Sequence, residues 1–319
     1  MDDETTRVFS VAHLEGGIPC AESTLGLQLQ INVNGVEGRL EMPKAATQES
    51  GREGTTPLLT SPESYRRSAD DGNVTWGHAT FPNKPRVCAV ERVFLYFDVP
   101  KHQEKLKANA LHAGLLTWRN SFVGYLHLLT KYRLYPDILI QDYEQLSVQL
   151  FAHLPDGRKI RPHDQTPLKV MIVTGNPDVS VKKEDLVVAA RRASSGMPPE
   201  YELQLASYQA FARKDHRHAI IETAAAAEIC LTSAIAQKLQ ADGISYGDKL
   251  LFRFRMLGGR FELARMLKLV PVNIDFQKLL IDPRNDVMHK GAAPDRATAQ
   301  KAINCCDDLL ASLSPLASP

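Results

Sequence analysis

The sequence predicts an α+β protein, with a β-rich N-terminal domain carrying one long helix followed by an all-α antiparallel helical bundle. Three observations predict it. Alternating and β-branched runs dominate the chain before residue 180. Two steps of turn chemistry, Asn34-Gly35 and Asp156-Gly157, fall between such runs. From Lys182 onward, apolar residues instead recur every three or four positions. A chain of 319 residues holds about two domains, and the change of pattern divides it into 1–180 and 181–319.

Residues 25–33 place Leu25, Leu27, Leu29, Ile31 and Val33 on one face and Gln28, Gln30 and Asn32 on the other. Asn34-Gly35 then turns the chain into a second strand over 36–42, because both residues tolerate positive φ. Residues 44–73 are rich in Ser, Thr, Glu, Gly and Pro and read as a long flexible loop with too little apolar surface to order itself. Residues 86–99 contain Val87, Val90, Val93, Phe94, Leu95, Tyr96, Phe97 and Val99, the composition of a buried strand. Residues 103–134 are helical, with Leu106, Ala110, Leu111, Leu115, Phe122, Leu126 and Leu129 at helical steps. A second hairpin joins 145–154 to 158–162, and a short strand covers 168–174.

In the second half, helices are predicted at 184–195, ended by Gly196, at 199–213, at 218–240, ended by Gly243, and at 261–270, stopped by Pro271. Asp282-Pro283 opens a short helix, with Asp as N-cap and Pro at the first helical position, and Gly291 closes it. A final helix over 295–313 carries Ala299, Ala302, Ile303, Cys306, Leu309, Leu310 and Leu313 as its apolar stripe.

Composition narrows function by exclusion. Lys plus Arg total 38 and Asp plus Glu total 37, a formal net charge of +1, which argues against coating nucleic acid by bulk charge. The five cysteines (Cys20, Cys88, Cys230, Cys305 and Cys306) form no CxxC pair and read as reduced cytosolic thiols. No run approaches the roughly 18–20 apolar residues of a spanning helix, and the N-terminus has no apolar leader. A cytoplasmic protein with no membrane partner is expected.

The chemistry concentrates in Arg284-Asn285-Asp286-Val287-Met288-His289-Lys290-Gly291. Asn285 and His289, four residues apart, share a helix face. Arg284 is a permanent cation whose planar fork suits phosphate, and His289 carries an imidazole that can accept and give a proton. Such a set can bind a phosphodiester, stabilise its developing charge and move protons without a metal or cofactor. Structural roles compete with this: Arg284 can pair with Asp282 or Asp286, and His289 can cap the helix C-terminus.

These residues resemble the signature of the HEPN superfamily of helical-bundle proteins, an Arg, often followed by Asn, Asp or His, and then a His four to six residues after the Arg. Lys290-Gly291 continues in the style of Apea-like HEPN domains. The Ala-rich run Ala219-Ile220-Ile221-Glu222-Thr223-Ala224-Ala225-Ala226-Ala227-Glu228-Ile229 is similar to the family's early core helix. The resemblance spans roughly residues 200–313. It implies a metal-independent endoribonuclease acting as a homodimer through the bundle. The RNA 2′-hydroxyl would attack the adjacent phosphate in a shared cleft, leaving a 2′,3′-cyclic phosphate. It makes His289 the acid/base group, Arg284 the charge stabiliser and Asn285 an orienting group, with toxins and anti-phage effectors as common family roles. The alternative it carries is a non-catalytic dimerisation or binding module.

A basic stretch adds Lys249, Arg253, Arg255 and Arg260, with Arg265 and Lys268 beyond, interleaved with Phe252, Phe254 and Phe261. With Lys290 these form a candidate RNA-binding surface. The competing reading is an amphipathic segment whose Phe residues face the core. Asp215-His216-Arg217-His218 is read as capping or solvent-exposed rather than as a metal cluster, since His216 and His218 point apart. The N-terminal domain is expected to sense or position an unknown ligand or protein partner.

Overall fold

One strand organises the N-terminal sheet. In β5 (Val87–Pro100) nearly every side chain is buried, as its β-branched and aromatic composition requires. β1 (Thr5–Ala21) runs antiparallel along one side of it. The other side is shared by β3 (Val36–Glu41) and β4 (Gly77–Ala79). β2 (Gln28–Val33) pairs with β3 through a turn in which Asn34 and Gly35 have φ of 50° and 75°, the geometry an Asn-Gly hairpin needs. The order is β1-β5-β3-β2 with all pairs antiparallel. This is the structure of a computed structural model; it describes residues 5–45, 59–65, 75–79, 87–131, 180–270 and 274–316, and the backbone of 152–153 and 159–160.

The inner face of the sheet carries Leu29, Ile31, Val33, Leu40, Leu95, Phe97 and Val99, all buried. The N-terminal part of α1 (Glu104–Thr130) packs against it. Gly114 lets the helix approach closely: a Cβ there would sit 2.8 Å from Asn34, whose Nδ2 donates to Ala110 O at 3.1 Å. The far part of α1 meets the helical half. Gly124 lies against Met197 and Leu205, and Tyr125 Oη donates to Gly196 O at 2.8 Å.

The remaining helices are α2 (Lys183–Ala193), α3 (Pro199–Ala212), α4 (His216–Ala241), α5 (Gly247–Arg253), α6 (Leu257–Met266), α7 (Asp282–Lys290) and α8 (Arg296–Leu313). α4 is central and touches α3, α5, α6, α7 and α8. By length and composition alone α4 could cross a membrane, but half of its most apolar window is buried in the fold. α2 packs on α1 and β2. Ahead of it, Val181 donates to Pro19 O and accepts from Ala21 N–H, fastening this segment to β1. Among the described residues, the buried apolar side chains form one cluster from the sheet through α1 to α8.

A buried polar network joins the two parts. Asp307 of α8 accepts from Gln204 Nε2 at 2.7 Å and from the Tyr208 hydroxyl, and it pairs with Lys131, the left-handed residue that caps α1. Burial first, and Asp307 second, push the Tyr208 hydroxyl well above its ordinary pKa, so it stays a donor.

The α+β class and most helix positions agree with expectation, and four local readings need correction. β1, β4 and α5 were not anticipated. Residues 59–65 of the expected flexible loop are tied down: Lys44 and Thr60 form a backbone bridge, Leu59 N–H donates to Gly77 O, and Leu59 is buried. Asp282 is not an N-cap, because its φ/ψ of −62°/−48° are helical and α7 continues from a π-type turn over Gln277–Ile281. Pro283 has no N–H for the usual i−4 bond, and the widened turn, with Asp282 N–H on Gln277 O, absorbs that loss. Leu106, placed on the apolar stripe, is exposed. Of the second hairpin, Ala152–His153 pairs with Lys159–Ile160; its remainder, the strand at 168–174, Leu134 and most of 44–73 lie outside the described residues.

Candidate functional site

α7 presents the Arg/His motif. Only Val287 of this helix is buried, and it anchors α7 in the core beside α4. Around it Arg284 and Asn285 are half-buried and His289 is exposed. Arg284 Nη1 donates to Asn285 Oδ1 at 3.1 Å, so Asn285 holds the guanidinium while most of its five N–H groups stay available. The nearby carboxylates are otherwise engaged. Asp282 accepts from Gln277 Nε2 at 2.5 Å, and Asp286 pairs with Lys290 at 2.7 Å. That pairing raises the Lys290 pKa, chiefly through its hydrogen bond to Asp286. Among the described residues neither Arg284 nor His289 forms an ion pair. The competing reading that Asp282 or Asp286 neutralises Arg284 is therefore not what the structure shows.

Gly291 ends α7 in the left-handed region at φ 65°, and its N–H turns to Asp286 O. This leaves Val287 O to Arg217, whose Nη2 approaches it at 3.5 Å. Arg217 thus brings a third cation to the end of α7 that carries His289 and Lys290. Sequence reasoning placed Arg217 only in a capping segment. The cap itself is present: Asp215 Oδ1 accepts from His218 N–H at 3.0 Å, and His218 pairs with Glu222 at 3.0 Å. The signal that could have drawn attention to Arg217 is an exposed Arg in the first turn of the Ala-rich helix.

The basic stretch divides. Phe261 is buried and stacks on Phe276 with ring centres 4.3 Å apart, and Phe254 packs on the core. Arg260 is also a packing residue, with Nη1 donating to Thr232 Oγ1 of α4 at 2.6 Å. Lys249, Arg253 and Arg255 are exposed. Phe252 is 72% exposed, and Arg255 Cζ lies 5.7 Å from its ring centre. Gly258, at the start of α6, faces Ile281 immediately before α7. α6 thereby packs against the π-type turn that leads into the motif helix.

Rise and rotation limit what one α7 can do. Five residues separate Arg284 from His289 by about 7.5 Å along the axis and about 140° around it. One copy offers an anion clamp and a proton-transfer group in different directions. The outward stripe of α4 formed by Ala225, Glu228, Ile229, Thr232 and Ser233 lines a groove of about 380 Å³, with Ile229 37% exposed.

The cysteines stand apart from this chemistry. All five are free and buried, and burial raises the thiols of Cys230 and Cys305 to about 12, leaving them protonated at neutral pH. Among the described residues no group of three or more His, Cys, Asp or Glu gathers as a metal site. No family model, no curated protein and no solved structure matches this chain.

Proposed function

We propose that the helical half is a metal-independent endoribonuclease of HEPN type, acting as a homodimer through its bundle. One observation carries the reading: Arg284 and His289 lie on one surface helix with no acidic partner among the described residues, while each nearby carboxylate is occupied. A half-buried cation left unneutralised is costly unless an anion completes it. Arg217 adds positive charge at the end of α7, and exposed Phe252, with Arg255 beside it, supplies a stacking surface for an unpaired base.

The second copy supplies what a single α7 lacks, an imidazole facing the phosphate held by Arg284. The 2′-hydroxyl proton passes to an imidazole as its oxygen bonds to phosphorus. The P–O5′ bond breaks, the electron pair stays on O5′, and a proton is delivered there. Arg284 stabilises the charge on the non-bridging oxygens, and Asn285 fixes the guanidinium. The exposed α4 stripe is the bundle surface that supports pairing.

Purified protein incubated with total RNA, with and without EDTA, tests the proposal. Expected are 2′,3′-cyclic phosphate and 5′-hydroxyl ends, unaffected by EDTA. His289→Ala and Arg284→Ala should each lower the rate about 100-fold or more with melting temperatures unchanged. EDTA-sensitive cleavage or 3′-hydroxyl ends would overturn the mechanism. Absence of cleavage at high protein concentration leaves a binding or dimerisation module.

A further inference from the structure

The outer face of the sheet carries a second candidate site, spelled out by strand register. Across the four strands β2, β3, β5 and β1, one row reads Gln30, Arg39, Tyr96 and Phe9, and beside it stand the pairs Asn32–Glu37 and Asp98–Arg7. α1 packs on the opposite face, and among the described residues this one is covered in part, by Tyr65 and Trp76 next to Phe94. At its β1 side lies a cleft of about 470 Å³ lined by Thr5, Arg7, Phe9, Ser64, Tyr65, Phe94 and Asp98.

Its walls are built and held. Glu41 is 2% exposed, and its carboxylate accepts from the Glu63 and Ser64 N–H groups at 3.1 and 3.3 Å. This fastens Tyr65 edge-on against Phe94, ring centres 5.3 Å apart, and against Trp76 at 5.1 Å. Phe9 forms the facing wall, 5.9 Å from Phe94, and is 60% exposed. Leaving a ring that open next to three packed rings suits a planar ligand more than a folded core.

The polar end of the cleft specifies an edge. Arg7 donates from Nε to Asp98 Oδ1 at 2.8 Å and from Nη2 to Oδ2 at 3.1 Å. Its Cζ lies 4.4 Å from the Tyr96 ring centre, which fixes the guanidinium. The Nη1 group and the outward N–H of Nη2 remain as a second fork, and each Asp98 oxygen keeps a lone pair. Asp98 thus buttresses a guanidinium that still presents two donors, with the charges of the pair cancelled. Guanine offers the complement, since O6 and N7 accept from an arginine fork. Adenine puts a donor where O6 would be, and cytosine lacks that pair of acceptors.

We propose that this cleft binds a guanine base against Phe9, with O6 and N7 on the free fork of Arg7 and with Asp98 holding that guanidinium in place. The same base could come from free guanosine or from an unpaired residue of an RNA strand. The row, the two pairs and Glu41 set two cations, Arg7 and Arg39, against three carboxylates, Glu37, Glu41 and Asp98. That balance favours the neutral nucleoside over a polyanionic strand. The assignment uses no residue of α7 and stands or falls separately from cleavage.

Titration calorimetry on the full chain tests it, with guanosine, adenosine, cytidine and a single-stranded tetranucleotide containing one guanine. Saturable guanosine binding is expected, about tenfold or more weaker for adenosine and cytidine. Phe9→Ala and Asp98→Asn should each weaken it about tenfold or more. Both side chains are exposed, so melting temperatures should hold. No saturable guanosine heat, equal adenosine binding, or indifference to both substitutions would overturn the site. Tighter binding of the tetranucleotide would overturn the free nucleoside as its ligand.

Discussion

Two polar groups in the helical half use the same kinds of side chain in opposite ways. Around Asp307, an amide, a phenol and an ammonium converge in the interior and all meet on one carboxylate. Around Arg284, the amide holds the cation, the carboxylates are paired elsewhere, and the guanidinium and imidazole stay open. The first arrangement is what burial demands, because an unpaired polar group in the core costs about 1–3 kcal/mol. The second is what chemistry demands, because a group already saturated by its own fold cannot act on a substrate.

The contrast can be broken by experiment. Asp307→Ala strands Lys131, Gln204 and Tyr208 and should cost about 3 kcal/mol of unfolding free energy, read by urea denaturation. Arg284→Ala should cost less than about 0.5 kcal/mol in the same assay. Equal losses would erase the distinction. A smaller effect is expected at the buried pair Ser207 Oγ and Thr223 Oγ1, 2.7 Å apart with both residues fully buried. Thr223→Val leaves one hydroxyl unpaired and should cost about 1–2 kcal/mol, whereas an exposed hydroxyl would show almost nothing. Smallest is a pH effect at the start of α8. The Asp295 side chain accepts from Thr298 N–H, chiefly through that bonding to Thr298, and its pKa is lowered. A lowered carboxylate pKa gives stability that is present above the unfolded value of about 3.9 and lost as pH falls below it. The melting-temperature gap between wild type and Asp295→Ala should therefore close on acidification, and a gap that widens would contradict the cap.

Much of this architecture is legible in local pattern. β5 announces itself by Val, Phe and Tyr density, the β2–β3 turn by Asn34-Gly35, and α4 and α8 by their small and aliphatic stripes. β1 escapes notice because Arg7, Phe9 and Val11 share its outer face while Thr6 and Ser10 share the inner one with Val8, so neither face is cleanly apolar. α5 is too short, at seven residues beginning with Gly247, to show a period. The Arg284, Asn285 and His289 set was readable because its spacing lies within one helix. Arg217 was not, since its contact with Val287 joins residues 70 apart in sequence. Asp307 was hidden for the same reason: nothing in α8 reveals a lysine at the end of a helix 176 residues earlier.

That separation has a consequence for synthesis. The sheet and the near part of α1 can assemble once the first 130 or so residues have left the ribosome, roughly, as N-terminal units do. The far part of α1, with Gly124, Tyr125 and Lys131, must wait for α3 and finally for α8. At about 5–20 residues per second, the 176 residues between Lys131 and Asp307 take roughly 10–35 s to translate. Until α2 and α3 emerge, a nascent chain carries a sheet with an uncovered apolar helix end, a target for chaperones, and Lys131 waits without Asp307 until the last helix arrives.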